Sequence, residues 1–276
     1  MGSEGLYDAG AMSDAPALDR PGPAGSRATR VALIGLTIVV ASALALGVSG
    51  VGYRIGWWTL ATAFTIFRWG AYGGAAGAVV SLAAAVFGRS SRQAVSVGLL
   101  GVVIGTLVCV VPWQWQRTAR SVPPIHDITT DLEDPPAFVA VLPLRATARN
   151  SAVHGGPTVA AAQRRGYPDL APATLTLPRD DAFEAAEQAA RAMGWAIVSV
   201  DPARGLIEGT DTTRWFGFKD DVVIRVRADA GGSRVDVRSV SRVGGSDVGT
   251  NAKRIREYLV RLNAAVAAAR GTAGAQ

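Results

Sequence analysis

Cysteine is nearly missing from this chain: of 276 residues only Cys109 is one, and the only histidines are His126 and His154. No disulfide can form within one chain, and no Cys/His zinc spacing exists, so the water-soluble part folds on its apolar core alone. Charge is missing over a long stretch. Residues 31–112 carry four charged side chains, Arg54, Arg68, Arg89 and Arg92. No acid or lysine falls in that stretch, which argues against an ion pump or proton relay. Catalytic signatures are lacking too. No nucleophile elbow accompanies either histidine, and Gly244-Gly245 precedes a helix without the strand and GxxxxGK pattern of a phosphate loop. His126, Asp127, Asp131, Glu133 and Asp134 match no standard metal spacing and lack the glycine and distal glutamate of an EF-hand, so they read as a solvated acidic loop. No cofactor is expected.

What is present is long apolar runs. Arg27 and Arg30 precede an uncharged run from Val31 to Val51, and roughly 20 helical residues cross a hydrocarbon core of about 30 Å. A signal peptide is the rival reading, because Ala43-Leu44-Ala45 resembles a cleavage site. The run continues past that site, which favours a retained span. A second span is expected over Gly70–Phe87 and a third over Ala94–Val111, joined by the polar turn Gly88–Gln93. Residues 52–69 are apolar with charge at both ends, and either lie in the interface as a short helix or belong to a longer span. Trp57, Trp58, Trp69, Trp113 and Trp115, five of seven tryptophans, fall near the span ends, where an indole satisfies both its apolar body and its N–H.

Lys/Arg counts in the short flanks set orientation. Arg20, Arg27, Arg30, Arg89 and Arg92 lie on one side, against Arg54, Arg68, Arg117 and Arg120 on the other. The bias of five to four puts the N-terminus in the cytoplasm and the soluble domain across the inner membrane, in a bacterium the periplasm. Glycine pairs at Gly70/Gly74, Gly73/Gly77 and Gly101/Gly105 suit close helix packing, within the chain or between copies.

The expected organisation is a disordered tail over 1–30, a three-span membrane region over 31–116, a soluble α+β domain over 117–270 and a short tail over 271–276. Net charge of +6 divides evenly, +3 on either side of residue 116. A nucleic-acid binder would concentrate basic charge on one face, so none is expected as a partner. The basic run Lys253, Arg254, Arg256 and Arg261 reads as a solvated helix face or as a contact for anionic lipid.

In the soluble part, residues 121–178 are Pro-rich and read as extended segments and loops, with Leu175–Leu177 as a short strand. A helix follows, capped by Asp180 or Asp181, with Phe183, Ala186, Ala190 and Met193 on its apolar stripe and Gly194 at its end. Four strands come next, from about Trp195, Leu206, Val222 and Val235. Their period-two alternation predicts an antiparallel sheet with one buried and one wet face. A last helix starts near Ser246 or Asp247 and buries Ile255, Leu259, Leu262 and Val266. The fold class is therefore three transmembrane helices followed by a two-layer domain of helix, four-stranded antiparallel sheet and helix.

Several segments look familiar: Ile125–Asp131, Tyr167–Leu170, Trp215–Asp221, Asp236–Arg242, Ser246-Asp247 and Asn251–Ile255. On these the soluble part resembles the domain of unknown function 1499 family, and the three spans resemble its membrane-anchored bacterial members. That resemblance implies no activity and no catalytic residues.

The candidate ligand-binding residues are Arg238, Ser241, Arg242, Asp247, Asn251 and Arg254, with Trp215, Phe216 and Phe218 as an apolar wall. Arginines beside a helix start suit an anion. Equally, Arg–Asp pairing fixes a strand–helix joint. Two functions follow: a non-enzymatic envelope module binding membrane lipid, a peptidoglycan fragment or a partner protein, or an enzyme acting on an anionic envelope substrate.

Overall fold

A computed structural model describes residues 23–273. The expected tails, 1–30 and 271–276, lie outside these except for 23–30 and 271–273, which are helical. Three long helices come first: α1 (Pro23–Arg54), α2 (Leu60–Phe87) and α3 (Arg92–Ser121). All three are long and apolar enough to cross a membrane. Residues 60–69 are thus the opening turns of α2, which resolves the ambiguous stretch in favour of a longer helix.

Two compact units divide the chain, 1–40 with 74–106 and 41–73 with 107–276. In the first unit, the described parts of the helices meet through small residues. A Cβ on Gly105 would come within 2.8 Å of the Gly74 carbonyl, and one on Gly77 within 3.0 Å of the Gly35 carbonyl. Only a bare Cα permits such backbone approach, so these glycines serve packing inside the chain.

The second unit holds a six-stranded antiparallel sheet: β1 (Asp127–Thr129), β2 (Ala173–Leu175), β3 (Ala196–Asp201), β4 (Leu206–Thr212), β5 (Lys219–Asp229) and β6 (Gly232–Ser241). The order is β1-β6-β5-β4-β3, with β2 also on the outer edge of β6. Four strands were expected. Of the two further strands, three residues each and too short to show alternation, β1 was missed, and β2 ends at Leu175, where the short strand expected at Leu175–Leu177 began. Also missed was α4 (Gly156–Gly166), held to β1 by Gln163, whose amide bonds both the N–H and the carbonyl of Thr129.

Helices α5 (Arg179–Ala192) and α6 (Thr250–Ala273) cover one sheet face. Helix α5 has Pro178 at its N-cap and no side-chain cap, so the cap expected from Asp180 or Asp181 does not form and both lie in the first turn. Gly194 does take the left-handed conformation expected after the helix, φ +76°. Ile207, Val222, Ile224, Val226, Val235 and Val237 point into the helices, where Ala186, Ile255, Tyr258 and Leu262 meet them.

The opposite face is not wet. The segment 131–153, with a 3-10 turn at Leu142–Arg145, lies over it, and Phe138 and Val141 pack on Val223 and Val240. Glu208 of β4 fixes this cover: its carboxylate accepts the N–H groups of Val139, Ala140 and Val141 at 2.9–3.0 Å. Alternation showed two kinds of side chain and left unseen that the polar kind also has a lid.

The main core draws no residue from α1–α3. Residues 121–276 expressed alone should therefore unfold cooperatively on heating or in denaturant. A fragment without a transition would overturn that independence.

Candidate functional site

The sheet's alternation decides where the arginines go. On β6, Arg238 lies on the face under the 131–153 cover, whereas Ser239 and Ser241 lie on the helix face. Arg238 grips Asp127 through two bonds of 2.9 and 2.8 Å, donates to the Pro136 and Ala152 carbonyls, and stands 5.2 Å from the Phe138 ring centre. Arg242, just past β6, makes a two-bond clamp on Asp221, which also accepts from Arg145 at 2.6 Å and Thr210 at 2.6 Å. Burial by itself would raise the Asp221 carboxyl; the bonds from Arg242, Thr210 and Arg145 outweigh it and hold the group below its ordinary range.

Arg254 works on the other face. It leaves α6 to reach Asp220 at 2.6 Å and Asp211 at 2.9 Å, and touches Ser239 and Asn251. Asn251 completes the joint by donating to the His126 carbonyl and to Ser241 Oγ, 3.0 Å each. Asp247 stands before α6, not inside it, accepting N–H bonds from Gly249 (2.9 Å) and Asn251 (2.7 Å). The structure thus brings Ser241, Asp247, Asn251 and Arg254 together and separates them from Arg238 and Arg242 by the sheet. Each of the three arginines already holds at least one carboxylate.

The acidic loop is solvated at Glu133 and Asp134 but not throughout. Asp127 and Asp131 are buried. Asp131 meets Arg225, Arg227 and Arg234. Burial pushes its carboxyl up, but backbone donors from Asp134 and Glu133, with the charges of Arg234 and Arg225, bring it below the ordinary value. Among the described residues no group of His, Cys, Asp or Glu is arranged to hold a metal. The partners Asp127, Asp211, Asp220 and Asp221 were beyond sequence reasoning, because each is distant in the chain from its arginine.

The aromatic wall has a different setting. Trp215, Phe216 and Phe218 form the loop between β4 and β5, turned by Gly217 at φ +67°. Within this unit the loop sits among the ends of α1, α2 and α3. Trp215 donates to the Gly47 carbonyl at 2.9 Å and Arg54 to that of Arg214 at 2.6 Å. Phe216, 1% exposed, lies 5.6 Å from Phe64, while Trp215 lies 5.8 Å from Phe67 and 5.6 Å from Trp115.

Beside this anchor opens a cavity of about 820 Å³. Its walls are apolar: Phe64, Phe67 and Tyr72 of α2, Trp113 and Trp115 of α3, and the loop aromatics. One end is polar, lined by Asp220, Ser241, Ser246, Asp247 and Thr250. That end lies by the chain leaving α3, since the Asp247 N–H bonds the Ile125 carbonyl at 3.1 Å. From Pro112 to Ala119 the α3 wall runs about 10 Å at 1.5 Å per residue. A space of this size with apolar walls and few polar groups suits a small amphiphile. Nearby, burial and the Asp247 charge push the Tyr167 phenol up to about 12.

A family model described as protein of unknown function (DUF1499) matches residues 127–262, and through this domain the chain belongs to that family. No curated protein and no solved structure matches the chain.

Two expectations follow. Arg254→Ala strands the buried Asp220 without its cation, and should lower unfolding stability by on the order of 3 kcal/mol in chemical denaturation; an unchanged midpoint would show that Arg254 does not hold the joint. Asp247 behaves oppositely. Burial raises its carboxyl, the donors Asn251 and Gly249 offset this in part, and the Asp220 charge adds to it. The folded state therefore keeps this proton to higher pH than the unfolded chain, and stability declines as pH rises from the ordinary carboxylate range through the raised value. Asp247→Asn keeps a capping side chain and should abolish that part of the decline, read as unfolding midpoint against pH for both proteins.

Proposed function

We propose that this is a multi-pass inner-membrane protein whose periplasmic domain holds an amphiphilic, lipid-like ligand without transforming it. The cavity carries this reading. Its walls combine turns of α2 and α3 with the 213–218 loop of the domain, and one end is polar. Only 28–33% of the most apolar window of each long helix is covered by the protein itself, so hydrocarbon is the fitting surround. Trp69, Tyr72 and Trp113, at the far end of the cavity lining from Asp247 or adjoining it, are residue types that favour the headgroup level. The cavity then stands over the bilayer surface, within reach of a lipid leaving it.

Of the nine residues expected to bind a ligand, Trp215, Phe216, Phe218, Ser241 and Asp247 line the cavity. Arg238, Arg242, Asn251 and Arg254 support the scaffold. The alternative, an enzyme drawing an anionic substrate onto those arginines, gains nothing from this geometry, because carboxylates already occupy them.

Proteoliposomes carrying a phospholipid with a photoreactive acyl chain test the reading. Lipid around the helices labels α1–α3 alone, whereas cavity lipid labels the 213–218 segment as well. Labelling of 213–218 is expected, and Ala119→Phe, which fills the wall, should reduce it severalfold. Absence of label on that segment would defeat the proposal. The orientation has its own check: a reporter fused after Arg120 should be active outside the cytoplasm, and cytoplasmic activity would reverse it.

A further inference from the structure

The charges around the cavity discriminate between headgroups. Three charged residues line it: Arg68, Asp220 and Asp247. The two carboxylates are at the polar end. Asp220 is buried and its nearest cation, Arg254, is shared with Asp211. Asp247 is half-buried, receives only backbone N–H bonds, and forms no ion pair among the described residues. The hydroxyls of Ser241 and Ser246 stand with them. Arg68 also lines the cavity, one helical turn from Tyr72 on α2.

An anionic headgroup entering the polar end would meet two carboxylates and an arginine already engaged. Like charges brought together in a partly dry site repel, and that repulsion falls on a headgroup whose net charge is negative. An ammonium reverses the sign of this interaction. It gives Asp247 the cation that it lacks, and its N–H groups find carboxylate and hydroxyl acceptors. The aromatic side chains of the lining then receive the first carbons of the chain.

We infer that the cavity selects a membrane lipid bearing an amine headgroup over an anionic lipid of the same chain length. This rests on the cavity reading above. Asp247 is the positioning group for the ammonium, and Asp220 adds to the field without giving up Arg254.

The test uses the full chain in proteoliposomes and photoreactive phospholipids of identical acyl chains, with ethanolamine, choline or glycerol headgroups. Labelling of the 213–218 segment should favour ethanolamine over glycerol by roughly fivefold, as a half-buried ion pair would give. Choline, whose quaternary nitrogen has no N–H, should fall between. Asp247→Asn should lose the preference, its ethanolamine labelling falling toward that of glycerol, and Thr250→Lys, which sets a competing ammonium at the same end, should lose it too. Equal labelling by all three lipids, or preference for glycerol, would overturn the headgroup assignment while leaving a lipid cavity in place. No label on 213–218 from any lipid would overturn both.

Discussion

Two adjacent carboxylates on β5 hold the layers of the sheet domain together. Asp220 and Asp221 are neighbours in a strand, so their side chains leave on opposite faces of the sheet. Asp220 meets Arg254 from α6, and Asp221 meets Arg145 and Arg242 under the 131–153 cover. One dipeptide thereby fastens both layers that flank the sheet. Desolvating these charges is expensive, and the cost is recovered only while each arginine stays in place. The flanking layers are consequently fixed in register on the sheet, which a purely apolar interface would specify less sharply.

That constraint also shapes the cavity. The strand that carries Asp220 begins directly after the loop holding Trp215, Phe216 and Phe218, and Thr213 ties the loop closed by bonding Phe218 at both its N–H and its carbonyl. The loop is presented as a short hydrogen-bonded projection, and its aromatic rings bury among the ends of α1–α3. A polar end and an apolar wall are thus products of the same stretch of chain, Thr213 to Asp220. The fastening of the domain and the lining of the cavity share residues, so substitutions in this stretch will act on both.

The joint reading and the ligand reading of the arginine cluster rested on the same residues, and geometry divided them. Arg254 and Asn251 belong to the joint, whereas Ser241 and Asp247 belong to the joint and the cavity together. Arg238 and Arg242 lie beyond the sheet. Parity along β6 already placed Arg238 and Arg242 on one face and Ser239 and Ser241 on the other. Sequence alone leaves open which face meets α6.

The three long helices, the two covering helices and the four longer strands were legible in the sequence, because runs of apolar residues and their 3.6- or 2-residue periods report burial locally. The alternation of β5 was legible for the same reason, and Gly194 because a glycine commonly ends a helix. Tertiary structure alone decided the rest. Strands β1 and β2 exist through pairing with β6, Glu208 and Asp127 are buried because a non-periodic segment folds over them, and the cavity arises where α2 and α3 meet a loop about 100 residues or more further along the chain. These depend on contacts between residues far apart in sequence, and a period read along the chain holds no record of what packs across it.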